Sequence, residues 1–155
     1  MYKIQKSNNA DSRTATSRKK EDLMIDTMKH IKDVQSVMSI LAIKLIENSI
    51  KHDYTKIELF EDFYDDWASN DGYFMNKEWY KHHVMNERHH SSAFVHDDYN
   101  LLDVLEELVD KICAGKGRSG EINFDYLVYN DELLLKAYKN TILLIDEITG
   151  KTNKK

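Results

Sequence analysis

Proline is absent from the 155 residues, and cysteine occurs once, at Cys113. Without proline nothing forces a break in a helix, so long uninterrupted helices are favoured. A single cysteine excludes an intramolecular disulfide and fits a reducing cytosol. No apolar run approaches the length that spans a bilayer, and the N-terminus lacks the apolar core of a signal peptide. A basic stripe is missing too. The formal net charge is −5, with acids spread along the chain, so nothing announces nucleic acid as a partner. A phosphate-bearing ligand would need positive charge supplied locally, by a metal or a few Lys and Arg. The remaining composition, 41% hydrophobic and 32% charged, is that of an ordinary soluble domain large enough to bury a core.

Residues 1–19 are polar and without periodicity, and read as a mobile tail. From about Lys20 to Ser49 a stripe recurs at helical spacing through Leu23, Thr27, His30, Val34, Val37 or Met38, Leu41 and Leu45. His30 falls on that stripe, either as a satisfied core histidine or as an inward-pointing ligand. Thr55-Lys56-Ile57-Glu58 has the form of a capping box, which starts a second helix at Lys56 and carries it towards the turn signal Asn70-Asp71-Gly72. Asn76 is placed to cap a third helix bearing Trp79, His82, His83, Asn86, His89 and His90. Ser91 to Tyr99 reads as a loop. Asn100 to Ala114 forms a strong helix packed through Leu101, Leu102, Leu105, Leu108, Val109 and Ile112. Gly115 to Gly120 is a basic linker without the spacing of a phosphate-binding loop, and its Arg118 is a candidate substrate contact. A last helix runs from about Asp131 to Ile148, and residues 151–155 are a tail. The expectation is an all-α protein: one helical bundle of about five helices over residues 20–150.

The candidate chemistry centres on His52-Asp53-Tyr54-Thr55-Lys56, at the junction of the first two helices. Adjacent His and Asp supply one nitrogen and one oxygen ligand, a mix suited to Mn, Fe, Ni or Zn rather than to Ca or Mg. Four of the seven histidines lie within nine residues, at His82, His83, His89 and His90. On a helix His82, Asn86 and His89 share one face, and His83, Asn86 and His90 nearly share the next. Helix propensity gives no reason to collect imidazoles there. On the following helix Glu106 or Asp110 is a candidate closing carboxylate, although acidic helix faces are usually just solvated.

This order of His30, His52-Asp53 with Lys56, His82 or His83, His89-His90 and an acidic helix resembles the HD superfamily of all-helical metal enzymes. Its bimetallic branch is the most similar, with His-Asp-x-Gly-Lys followed by single and paired histidines. Cyclic-dinucleotide phosphodiesterases and an iron-dependent inositol oxygenase share that arrangement. The stretch from His30 to about Cys113 also resembles an uncharacterised family of small, mostly phage-encoded proteins. That family carries His-Asp-x-Ser-Lys, an aromatic-rich helix, Trp and His before Asn-x-His-His, and Glu and Asp at i, i+4. The matching residues are His52 to Lys56, Phe63-Tyr64, Trp79 with His82 or His83, Asn86 with His89-His90, and Glu106 with Asp110. Thr55 stands where the enzymes have Gly or Ser, and two residues separate Asn86 from His89 where the phage pattern has one.

The resemblance implies an HD-domain-like bundle holding one or two divalent ions, with ligands among His30, His52, Asp53, His82, His83, His89, His90, Glu106 and Asp110. Asp53 would bridge two ions, and Lys56 would donate to a phosphate oxygen or leaving group. Asn86 and Arg118 are candidate substrate contacts. The function implied is a phosphohydrolase acting on a nucleotide or other small phosphoester, in the cytoplasm, or the host cytoplasm for a phage protein. The alternatives are a di-iron oxygenase of the same fold and a non-catalytic helical protein that binds a host partner through Tyr54, Tyr73 and Tyr80. A homodimer is compatible with each.

Overall fold

The structure, a computed structural model, describes residues 1–5, 19–69, 73–127 and 129–150. Most of the two expected tails, 6–18 and 151–155, and the expected turn at 70–72 lie outside the described residues. Among the described residues regular structure is helical throughout, with no strand. The helices are α1 (Lys20–Lys51), α2 (Tyr54–Glu58), α3 (Phe60–Ala68), α4 (Glu78–Asn86), α5 (Leu101–Ser119) and α6 (Asp131–Thr149), with 3₁₀ turns at Phe74–Asn76 and Phe124–Leu127. Only Leu59 separates α2 from α3, so the two make one interrupted helix and the total is five. The chain divides into two compact units, Met1–Lys44 with Ile142–Lys155, and Leu45–Thr141, and the residues 20–150 expected to form one domain are shared between them.

In the first unit Asp33 is the buried residue of α1. Its carboxylate accepts from the Tyr2 hydroxyl at 2.6 Å and the Gln5 amide at 3.3 Å, while the Tyr2 amide donates to Ile148 O at 2.9 Å. The start of the expected tail is thus tied to α1 and α6. Of the expected apolar stripe of α1, Leu23, Val34 and Met38 are exposed and Val37 and Leu41 are half-buried. His30, expected to face inward on that stripe, is exposed too.

The Leu45–Thr141 unit has an aromatic cluster and an unusually polar interior. Trp79, 4% exposed, packs on Phe63 with ring centroids 4.3 Å apart and stacks on His83 at 4.8 Å and 12°. Its amide donates to Asp66 of α3 at 3.0 Å, so α3 satisfies the first turn of α4. Asn76, the expected cap, lies instead in the preceding 3₁₀ turn, and Lys77 occupies the cap position.

A capping box starts α5, with the Asn100 side chain accepting from the Leu102 amide and Asp103 accepting from the Asn100 amide. The helix runs past the expected end at Ala114 to Ser119. It stops at Gly120, whose φ of 79° lies in the left-handed region that glycine enters without a Cβ clash. At the end of its second turn, buried Glu107 accepts from Lys111 at 2.6 Å, Tyr99 at 2.7 Å and Tyr129 at 3.2 Å. Those bonds tie the segments that flank α5 to it, and they satisfy the buried Glu107 carboxylate.

Candidate metal centre

His52 and Asp53 lie in the turn between α1 and α2. Asp53 has φ 57° and ψ 20°, and is the only non-glycine residue with positive φ among the described residues. Asp tolerates this left-handed conformation better than most residues because it lacks branching at Cβ and is short and polar. On a continuing helix adjacent side chains diverge by about 100°. Here the turn brings His52 Nε2 to 3.7 Å from Asp53 Oδ2. The capping box expected at Thr55 does not form. Asp53 takes the cap position with no side-chain cap bond, and the Thr55 side chain turns inward. Its hydroxyl donates to Glu87 Oε1 at 2.8 Å and its amide donates to the same oxygen at 3.0 Å.

The histidine-rich segment is not one helix. α4 ends at Asn86, and Glu87 to His90 form an irregular turn. Arg88 fixes that turn, because its Nε and Nη2 each lie 2.8 Å from an oxygen of Asp103, which is 1% exposed, and its Nη1 reaches Asp98 at 3.0 Å. This two-pronged grip anchors the turn to the start of α5. With the helix ended, consecutive His89 and His90 reach different partners. His89 faces His52, Asp53 and Glu106, while His90 Nε2 lies 2.8 Å from His83 Nε2.

Two sets of ligand atoms result, His52–Asp53–His89 and Asp53–His83–His90, each with its atoms within 4.8 Å of one another. Asp53 belongs to both. Its Oδ1 is 3.4 Å from His83 Nε2 and 3.6 Å from His89 Nε2. Asp53 Oδ1 and His89 Nε2 are both buried and have no hydrogen-bond partner among the described residues. A buried carboxylate oxygen and imidazole nitrogen that face each other without a hydrogen bond are costly unless something else completes them. A divalent ion would do so, since ligand atoms about 2.1 Å from one tetrahedral ion stand about 3.4 Å apart. The side chains present fit such an ion.

Surrounding groups set which ring atoms are free. Glu106 Oε1 lies 3.1 Å from His52 Nδ1 and 3.2 Å from His89 Nδ1, the second contact off the hydrogen-bond line. One carboxylate oxygen therefore draws both Nδ1 atoms towards itself and leaves both Nε2 atoms facing Asp53. The Thr55 hydroxyl spends its proton on Glu87, so it accepts from His83 Nδ1 at 2.6 Å, and His83 Nε2 presents its lone pair to His90 Nε2 and towards Asp53.

Electrostatics follow the same pattern. Burial, reinforced by His90, holds the His83 pKa down to about 3 and keeps the ring neutral. Burial also lowers His90, helped by His89. Burial alone would lower His89, but Asp53 and Glu106 outweigh it and lift the pKa to about 9. Burial works against the charge on Asp53, yet His89 and Lys56 keep its carboxylate well below the usual range.

The chain matches no known family model, curated protein or solved structure.

Of the expected site residues, the fold brings together His52, Asp53, His83, His89 and His90, with Glu106 behind the rings. Asp110 Oδ1 is 3.7 Å from His52 Nε2, and Lys56 Nζ donates to Asp53 Oδ2. Others stand apart. His82 and Asn86 are exposed and paired with each other on α4, where Asn86 also caps back to His82 O at 2.7 Å. Arg118 is exposed near the end of α5, and His30 belongs to neither ligand set. Glu87 and Arg88 were not foreseen. Flanked by polar residues, they read as surface charge, and only the end of α4 at Asn86 turns them inward.

Proposed function

We propose that the chain is a metal-dependent phosphohydrolase acting on a nucleotide or other small phosphoester, with Asp53 shared between two divalent ions. The observation that carries this reading is the Asp53 carboxylate, buried on one oxygen without a hydrogen bond and common to two histidine pairs. The HD-like order of ligands along the chain supports it. Bound divalent ions would neutralise a phosphoryl group and lower the pKa of water. The chain's own residues orient and protonate. Glu106 and the Thr55–Glu87 pair hold the rings with Nε2 turned towards Asp53, and neutral His83 is ready to bind without first losing a proton. Lys56, with its side chain 38% exposed and its ammonium on Asp53 Oδ2, is placed to donate to a phosphate oxygen or leaving group at the solvent side.

The test is elemental analysis of the purified protein, chelation followed by thermal melting, and a panel of phosphoesters. Bound transition metal, a lower Tm after its removal and metal-dependent turnover are expected, since an ion held only by the native state stabilises it. An unchanged Tm after complete removal of metal rejects the centre. Lys56→Met should keep metal and fold while losing about 10²–10⁴-fold in turnover. A second reading, a non-catalytic partner-binding protein, is favoured by the exposure of Tyr73 at 79% and Tyr54 at 53%. It takes precedence if metal binds and no substrate turns over.

A further inference from the structure

Beside the histidine cluster, between the last turns of α1 and the middle of α5, lies a cavity of about 450 Å³ within the Leu45–Thr141 unit. Its walls are Leu45, Leu105 and Val109, with Asn48 and Ser49 as uncharged polar handles. One side is formed by His52, Glu106 and Asp110 of the candidate centre. Neither Lys nor Arg is among the described residues that line it. The volume falls within the range of small-molecule sites, and such sites pair apolar walls with a few convergent polar groups. Anions brought near Glu106 and Asp110 meet repulsion, and the cavity offers no cation to offset it.

We propose that this cavity seats the organic body of the ligand whose anionic head reaches the metal centre, and that it selects an uncharged, largely apolar body. A body carrying its own negative charge, a polyphosphate chain included, is disfavoured. The inference rests on the metal-centre reading for the head group, and on the cavity alone for the body.

Cys113 makes the test direct. It lines the cavity, its thiol is free, and it is the only cysteine in the chain. Alkylation by iodoacetamide, followed by intact mass, therefore reports occupancy without any turnover. On Mn-loaded protein, phenylphosphonate should protect Cys113 at about tenfold or more lower concentration than methylphosphonate, the ring being buried against apolar walls. 4-Phosphonobenzoate, the same ring with an added carboxylate, should protect no better than methylphosphonate. Benzyl alcohol, which has no anionic head, should slow labelling saturably with or without metal.

Val109 is 51% exposed, so Val109→Lys should fold and keep its metal, yet lose protection by benzyl alcohol. Equal protection by phenylphosphonate and methylphosphonate overturns the proposal. So does protection by 4-phosphonobenzoate as strong as by phenylphosphonate, or failure of benzyl alcohol to protect. Protection by benzyl alcohol together with no gain from metal for phenylphosphonate supports the cavity and removes the metal-centre reading instead.

Discussion

Nδ1 of His83 lies 2.6 Å from the Thr55 hydroxyl, and that contact decides which nitrogen of a buried ring is free. The hydroxyl already donates to Glu87, so the ring must donate to it, and Nε2 is left bare towards Asp53 and His90. Thr55→Val keeps the shape and removes the link. It leaves His83 Nδ1 unpaired and takes one of two bonds from Glu87, which should cost about 1–3 kcal/mol in urea unfolding. Metal affinity should fall about 10–100-fold by titration, as for other groups that orient a ligand. Thr55→Ser should restore both. Wild-type metal affinity in Thr55→Val would mean that the hydroxyl does not set the ring.

Arg88 and Asp103 hold the turn that carries His89 and His90. Asp103 is 1% exposed, so Arg88→Met strands a buried carboxylate and should destabilise the fold by about 3 kcal/mol. Metal binding should weaken with it, although Arg88 touches no proposed ligand atom. Arg88→Met combined with Asp103→Asn removes the stranded charge, and chemical denaturation should show part of the stability recovered. Metal affinity should stay low in the pair, because the turn is still untethered. Recovery of both together would show that Arg88 acts only through stability.

Glu107 supplies a pH dependence remote from the rings. Burial works to raise its pKa, but bonds from Lys111 and Tyr99 outweigh it and hold it below the ordinary 4.5. A group depressed in the folded state contributes stability above its unfolded pKa and loses it as pH falls through the folded one. The wild-type Tm should therefore decline below about pH 4.5, where the unfolded chain takes up the proton first. Glu107→Gln should start from a lower Tm at pH 7 and show a shallower decline in acid. Parallel acid limbs for the two proteins would mean that other carboxylates carry the acid sensitivity.

How much of this was legible in the sequence differs from residue to residue. Periodicity and the lack of proline marked the helices, and α6 begins at the expected Asp131. His52-Asp53 stood out because adjacent N and O ligands are a local pattern. Thr55 misled, since Thr-x-x-Glu scores as a cap whether the hydroxyl turns to the backbone or, as here, to His83 and Glu87. His82 was indistinguishable from His83 until α4 had a definite orientation against Phe63, which stacks Trp79 and thereby His83 inward. Arg88 was invisible because its partner Asp103 is fifteen residues away and reads as one acid on a solvated helix face. Local patterns show in the chain, and tertiary partners do not.

Asp53 has a proposed duty as ligand and a place in a left-handed turn, and substitutions separate the two. Asp53→Asn keeps a side chain that tolerates positive φ but removes the charge, so it should fold and lose metal. Asp53→Gly should do likewise, as glycine reaches φ 57° without a Cβ clash. Asp53→Ala must place Cβ in the disfavoured region and should lie about 1–2 kcal/mol below Asp53→Gly in stability. Alanine and glycine both drop the contact with Lys56, so the comparison between those two cancels that loss. Thermal melts and metal content measured on the three variants give the answer. If alanine is as stable as glycine, the turn is not held in the left-handed conformation in solution. If asparagine keeps two ions per chain, Asp53 is not the shared ligand.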